Sequence, residues 1–79
     1  MSGFLVLYKR QSGEYQIVEY DGSEGDRAAL DHRLLLESEG KFAEDKFEIA
    51  VLSADSLESV KETHSRYFYG KEVQFIEPQ

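Results

Sequence analysis

Three segments of the chain carry apolar residues in patterns that predict β-strands. Residues 4–8 are continuously apolar, which is typical of a central strand covered on both faces. Residues 15–20 alternate in character after a short loop containing Gly13, so the first two strands should form a β-hairpin. Residues 47–52 are apolar except for Glu48, which again predicts an interior strand.

A first helix is predicted between the second and third strands. Residues 27–38 are rich in Leu and Ala, and Leu30 and Leu34 share one face at a spacing of four residues. This stripe is expected to cover a face of the sheet. Asp26 or Ser23 can cap the start of the helix, and Gly40 can end it in the left-handed conformation.

A second helix is predicted after the third strand, ending at Gly70. Its apolar face has members at helical spacing, namely Leu57, Val60, His64, Tyr67 and Phe68. Asp55 with Glu58 has the spacing of a capping box, and Ser53 and Ser56 are alternative caps. Residues 72–76 then alternate and suit a short edge strand.

These elements predict one small α+β domain over residues 1–79. The order is β-β-α-β-α, with a short terminal β-strand left open. The simplest arrangement is a two-layer α/β sandwich with both helices on one face of a mixed sheet. The other face would then stay open, with Leu5, Leu7, Val18 and Tyr20 exposed on it. An open apolar face favours a homodimer or a protein partner, although terminal segments folding over it would also satisfy the pattern.

Composition narrows the range of functions. The chain has 79 residues, no Cys and a net charge of -7. The absence of Cys excludes disulfides and thiolate metal sites, and the acidity argues against nucleic acid as a partner. No run approaches the roughly 20 apolar residues of a membrane span. We therefore expect no membrane association and a cytoplasmic location.

The residues that are able to perform chemistry do not form a catalytic pattern. His64 lies on the apolar stripe and is expected to be buried in the core, whereas His32 is expected on a solvated face. The acidic loop of Asp21, Glu24 and Asp26 lacks the spacing of a calcium loop. Thr63, His64 and Ser65 are adjacent and point in different directions on a helix. We expect no enzyme, no catalytic or metal-binding residue and no cofactor.

Aromatic and basic residues alternate at the end of the second helix, in residues 66–71. This composition occurs where bases of single-stranded nucleic acid stack on aromatic rings. Tyr67 and Phe68 continue the core stripe, however, so that only Tyr69 is free. Core packing is the favoured interpretation.

Residues 50–61 followed by Arg66-Tyr67-Phe68 resemble a small accessory region that follows the catalytic domain in some RelA/SpoT-type alarmone synthetase proteins. In that region a strand leads through Asp-Ser-Leu or Asp-Ser-Ile into a helix that closes with Tyr-Pro-Asn-Tyr-Phe. Here Asp55, Ser56 and Leu57 match the first motif, and Tyr67 and Phe68 match the end of the second. The Pro is absent, and so is the synthetase domain. The resemblance implies a stand-alone accessory or regulatory module in which these five residues are structural.

The sequence therefore favours a small, non-catalytic protein-interaction or regulatory module that binds through the open sheet face or the aromatic end of the second helix. The alternative is an acidic inhibitor, or nucleic-acid mimic, that presents carboxylates to a basic target. Its acidic residues would be Glu37, Glu39, Glu44 and Asp45. A small-ligand binder is a further alternative.

Overall fold

A computed structural model describes residues 2–42 and 45–76 of the chain. Three strands and two α-helices follow each other in the predicted order β-β-α-β-α, and a 3₁₀ turn comes after them. They are β1 (Ser2–Lys9), β2 (Tyr15–Tyr20), α1 (Gly25–Glu39), β3 (Phe47–Ala54), α2 (Leu57–Thr63) and the 3₁₀ turn Ser65–Tyr67. Helix α1 has 15 residues, and within the described ranges no helix combines the length and apolarity needed to cross a membrane.

The strands form one sheet with β1 in the centre, in the order β2-β1-β3. The central position of β1 and the β1–β2 hairpin confirm the prediction. Both neighbours run antiparallel to β1, with Leu5 opposite Val18 on one side and Val51 on the other. The expected mixed sheet is therefore wrong, and β3 is an edge strand rather than an interior one. The reason is that α1 carries the chain past β1 to its free side, where the next strand runs parallel to β2 and therefore antiparallel to β1.

The segment after the 3₁₀ turn follows the outer edge of β2 without forming a regular strand. Tyr15 forms a single parallel bridge with Glu72. Its amide N donates to Lys71 O at 3.1 Å, and Val73 N donates to Tyr15 O at 2.8 Å. The terminal strand predicted for residues 72–76 is thus reduced to one bridge, because the chain then turns in to bind the side chain of Gln16.

The two helices lie on opposite faces of the sheet. Ala29 and Leu36 of α1 pack with Leu5, Leu7 and Val18. Side chains alternate along a strand, so Tyr8 and Tyr15 point to the other face. There the ring of Tyr67 lies 5.4 Å from Tyr8, and that of Phe68 lies 5.0 Å from Tyr15, measured between centroids.

The expected arrangement with both helices on one face is therefore not found. The residues predicted to be exposed on an open face, Leu5, Leu7, Val18 and Tyr20, lie on the α1 side, and the first three are buried. On the opposite side, Phe4 and Val6 are fully buried as well. A sheet whose central strand is apolar on both faces needs cover on both, and the short α2 with the 3₁₀ turn provides the second layer.

Two glycines fix how α1 sits on the sheet. A Cβ atom on Gly3 would come within 2.3 Å of Gly25 O, and one on Gly25 within 2.0 Å of Tyr20 O. The first turn of α1 therefore approaches β1 and β2 backbone to backbone, as only glycine permits. With Gly25 against the sheet, the inward face continues through Ala29, His32 and Leu36.

Candidate functional site

The leucines that the sequence pattern placed in the core are largely exposed. Leu30, Leu34 and Leu35 are 41%, 54% and 48% accessible to solvent. The prediction that Leu30 and Leu34 cover the sheet is wrong, because contact at Gly25 rotates α1 so that Ala29 and Leu36 face inward instead. We call the three leucines the outer leucine surface.

Leu30 and Leu34 are neighbours on the side of α1 that faces away from the sheet, one turn apart. Leu35 lies on the flank, at a groove between α1 and the end of the described chain. The groove is lined by His32, Leu35, Leu36, Glu39, Lys41, Phe42, Phe75 and Ile76. Leu30 and Leu34 thus form an apolar strip along the outer side of α1, and Leu35 lies about 100° further round the helix, beyond the exposed Asp31.

Charged residues border this strip in pairs. Arg27 Nε lies 3.4 Å from Asp31 Oδ1, and Arg33 Nε lies 3.5 Å from Glu37 Oε2. The second contact has the distance of an ion pair without hydrogen-bond geometry, since Arg33 Nε is buried and makes no hydrogen bond to the described residues. Both arginines of α1 are thereby neutralised within the helix, and the carboxylate of Glu39 adds negative charge at its end.

The two histidines occupy the reverse of their expected environments. His32 is buried, at 6% exposure, and is hydrogen-bonded through Nδ1 to the Tyr20 hydroxyl. Burial raises the pKa of Tyr20. His64 is exposed and is the residue at which α2 ends. It leaves the apolar stripe because α2 stops at Thr63, well before Gly70, and a 3₁₀ turn then brings Tyr67 to the sheet.

A second polar cluster surrounds Glu48, the single charged residue of β3. Arg66 Nη2 donates to Glu48 Oε2 at 2.6 Å, and the Tyr67 hydroxyl donates to the same oxygen. Arg10 Nη1 lies 3.4 Å from Glu48 Oε1. The guanidinium of Arg66 also stacks 4.2 Å above the Tyr67 ring. The hydrogen bonds from Arg66 and Tyr67 hold the pKa of Glu48 below its usual value.

This cluster attaches the 3₁₀ turn to the edge strand. The hydroxyl of Tyr67 is used as a donor, and burial beside Glu48 raises the pKa of Tyr67. A lone charge in an apolar strand needs a partner, so the position of Glu48 in the sequence is the feature that could have indicated this cluster. The arrangement anchors structure, since Arg66, Tyr67 and Arg10 all contact the Glu48 carboxylate and Arg66 Nη2 also donates to the Tyr67 hydroxyl at 2.7 Å.

The other sequence candidates do not converge on a chemical site. Asp21 accepts from Ser2 Oγ at 3.4 Å and Asp26 from Ser53 Oγ at 3.1 Å, so the acidic loop is directed to separate partners. Thr63 Oγ1 donates to the carbonyl of Ser59, away from His64. Among the described residues no group of three His, Asp or Glu side chains is placed to hold a metal ion.

The aromatic end of the second helix packs as expected. Tyr67 is buried, Phe68 is half-buried, and Tyr69 is 82% exposed. Of the acidic residues considered for a mimic, Glu37 and Glu39 are exposed on α1 and Asp45 precedes β3, while Glu44 lies outside the described residues.

The start of α2 is capped by Ser56 rather than Asp55. Ser56 Oγ accepts from the amide of Ser59 at 3.2 Å, so the cap lies one residue later than the Asp55–Glu58 spacing indicated. At α1, neither Ser23 nor Asp26 is the cap: Glu24 occupies that position and makes no side-chain bond. Gly40 ends α1 in the left-handed conformation, as predicted.

Comparison with known proteins gives no relative: no family model, curated protein or solved structure matches the chain. The candidate site therefore stands on geometry alone. Of its features, the outer leucine surface is the one that packing within the described residues leaves without a structural role.

Proposed function

We propose that this protein is a small, non-catalytic protein-interaction module that binds its partner through the outer leucine surface of α1. The observation that carries the proposal is the exposure of Leu30, Leu34 and Leu35 in a chain whose central strand is buried on both faces. Scattered single apolar residues are normal on a protein surface, whereas two leucines that stack on one side of a helix, with a third on its flank, suit an interaction site.

The charges around the patch define the partner's chemistry. Arg27 and Arg33 are each paired with an acidic residue of the same helix, and the whole chain carries a net charge of -7. A partner that places an apolar ridge on Leu30 and Leu34 and positive charge near Glu39, which adds negative charge beyond these pairs, satisfies both features. An amphipathic helix with Lys and Arg flanking its apolar face has this pattern.

The position of the site differs from the surfaces that the sequence favoured. The sheet faces are occupied by α1 on one side and by α2 with the 3₁₀ turn on the other. The aromatic end offers Tyr69 as its exposed large side chain. The resemblance to an accessory region supports a module that acts by binding. The same resemblance supports the proposal of a non-catalytic role.

The experiment is selection of binders from a display library of basic amphipathic peptides, followed by titration of the best binder. Replacing Leu34 with Gln is expected to weaken binding by about 1–2 kcal/mol, roughly 5- to 30-fold, because interface energy is concentrated in central apolar residues. Leu30→Gln should have a comparable effect. Tyr69→Ser is the matched control, since it removes an exposed large side chain elsewhere and should leave the affinity unchanged.

The results separate the proposal from the acidic-mimic alternative. A mimic would lose affinity steeply with salt and on replacing Glu37 and Glu39 with Gln, whereas the leucine variants would bind normally. Loss of binding in Tyr69→Ser with normal leucine variants would assign the site to the aromatic end instead. Either outcome would overturn the proposed surface.

A further inference from the structure

The outer edge of β3 presents a row of unpaired backbone groups. Strand β3 has β1 as its only strand neighbour in the described sheet. Lys9 N donates toward the hairpin, to Glu14 O, while Arg10 N donates toward the β3 side, to Lys46 O. Successive residues of β1 therefore bond to opposite sides, and the register assigns the outward N–H and C=O groups of β3 to Phe47, Ile49, Val51 and Ser53.

The same alternation can be checked at the other edge of the sheet. It directs the backbone groups of Tyr15 outward from β2, and both of them are bonded to the segment that follows the 3₁₀ turn. At β3, no hydrogen bond within the described residues occupies the outward groups. Within the described residues the edge of β3 is therefore open, whereas the edge of β2 is covered at Tyr15.

Apart from Glu48, which faces the α2 side, the strand also lacks the features that prevent edges from pairing. Natural edge strands carry Lys, Pro or bulges, or point charges inward. In β3 the residues are Phe-Glu-Ile-Ala-Val-Leu-Ser-Ala, and the carboxylate of Glu48 is engaged by Arg66, Tyr67 and Arg10. Eight residues with one engaged charge form a template for another strand.

Charge is distributed unevenly between the two ends of β3. The chain has nine Lys and Arg residues, and five of them lie near the first residues of β3. They are Lys9 opposite Phe47, Arg10 bonded to Lys46, Lys46 itself, Arg66 bonded to Glu48, and Arg33 in a cleft shared with Phe47. The carboxylates of Glu48, Glu37 and Asp45 lie among them, so basic side chains outnumber acidic ones at this end without being alone there. The far end is acidic: Asp26 is bonded to Ser53, Asp55 follows Ala54, and Glu58 lies in the first turn of α2.

From this edge we infer that β3 pairs with β3 of a second copy of the chain, antiparallel about a two-fold axis. Antiparallel pairing brings the basic end of each strand to the acidic end of the other, whereas parallel pairing would place like charges together. Two-fold symmetry is also the commonest closed arrangement of two identical subunits. This inference does not depend on the proposed function, which uses α1.

The register of the β3–β3 pair follows because the outward N–H and C=O groups of one copy must face those of the other. With Ala50 on the axis, Ile49 of each copy lies opposite Val51 of the other, and both residues have outward N–H and C=O groups. Ala50 then faces Ala50 of the second copy in a pair without mutual hydrogen bonds, where the Cα atoms approach to about 4.5 Å and small side chains fit. Glu48 faces Leu52 of the second copy, so that the two Glu48 carboxylates do not meet.

The test measures the self-association of the chain together with the hydrogen-exchange rates of the β3 amides. Sedimentation velocity over about 1–200 μM should show a monomer–dimer equilibrium. Amide hydrogen exchange should slow with protein concentration at Ile49 and Val51, by about tenfold or more, since these N–H groups face solvent in the monomer. The amides of Ala50 and Leu52 point to β1 and should keep their rates.

Two kinds of variant test the geometry. Val51→Pro removes an outward N–H while sparing the bonds to β1, and it should raise the dimer dissociation constant about tenfold or more. Val51→Thr is the matched control, because it keeps the N–H and should still dimerise. Lys46→Glu or Asp55→Lys alone should weaken the dimer several-fold, and the double variant should restore it; both positions are exposed, so folding should be unaffected.

Three results would overturn the inference. The first is a protein that stays monomeric at the highest concentration. The second is a dimer in which the Ile49 and Val51 amides exchange as freely as in the monomer. The third is a dimer that Leu34→Gln dissociates and Val51→Pro leaves intact, which would place self-association on α1.

Discussion

The two edges of the sheet are stabilised by different chemistry. Strand β2 contributes Gln16, a neutral side chain that is 5% exposed and holds the segment following the 3₁₀ turn. Strand β3 contributes Glu48, whose side chain is 23% exposed and which holds the 3₁₀ turn by ion pairs and the Tyr67 hydroxyl. Each strand thus uses one polar residue among apolar ones to attach a later part of the chain.

The difference in burial explains the difference in chemistry. The Gln16 carboxamide Oε1 accepts from the amides of Phe75 at 2.6 Å and Ile76 at 2.9 Å, and Nε2 donates to Ile76 O at 2.9 Å. A neutral carboxamide has both a donor and an acceptor, so it can make all three hydrogen bonds in a buried site without the cost of desolvating a charge. Glu48 stays charged because water and Arg66 remain in reach. Attachment at β2 should therefore be stronger and independent of pH, whereas attachment at β3 should be weaker and pH-dependent.

Replacing Gln16 with Ala should have the largest effect. The change leaves the amides of Phe75 and Ile76 without their acceptor in a part-buried site, and we expect a loss of about 2–3 kcal/mol in the free energy of unfolding. Urea denaturation followed by circular dichroism measures it. Gln74→Ala is the matched control: Gln74 is exposed, and its loss should change stability by less than about 0.5 kcal/mol. Equal effects of the two variants would contradict the role of Gln16.

Replacing Glu48 with Gln should cost less, and the cost should depend on pH. The folded-state pKa of Glu48 is lowered by hydrogen bonds from Arg66 and Tyr67, so its charged form adds stability above the unfolded-state pKa. That stability is lost as pH falls through the lowered folded-state value. At pH 7 we expect a loss of about 1 kcal/mol, a moderate figure because solvent screens the ion pair.

The pH series distinguishes the two attachments. The stability gap between native protein and Glu48→Gln should close as pH falls below the usual range of a glutamate, while the gap for Gln16→Ala should stay constant. Denaturation curves collected across the acid range check both variants side by side. A Glu48→Gln gap that persists in acid would mean that the carboxylate contributes by shape rather than by charge.

Removing the cap of α2 should have the smallest of these effects. Ser56→Ala leaves the amide of Ser59 without its acceptor at the turn that joins β3 to α2, and we expect a loss of about 0.5–1 kcal/mol. Asp55→Ala, one residue earlier, should change stability by less than about 0.5 kcal/mol, because Asp55 is exposed and is not the cap. Thermal unfolding of the two alanine variants decides which residue caps the helix.

Local pattern determined the elements of this fold and their order. The continuous apolar run at the start predicts a central strand, because a strand buried on both faces is apolar at successive positions. Alternation predicts β2, because a strand buried on one face is apolar at every second position. Gly40 ends α1 with a φ of 70°, a left-handed conformation that glycine adopts readily. These predictions succeed because the energies involved act within a few residues of the chain.

Only tertiary contacts decided which faces the elements bury. The spacing of Leu30 and Leu34 and that of Ala29, His32 and Leu36 both suit a helix that packs on a sheet. The choice between them depends on the contact of Gly3 with Gly25, which are distant in sequence and close in space. That contact turns the leucines outward and buries His32 beside Tyr20. Hydrophobicity favours the burial of leucine, but only glycine allows two backbones to touch, and the rotation of α1 follows from that contact.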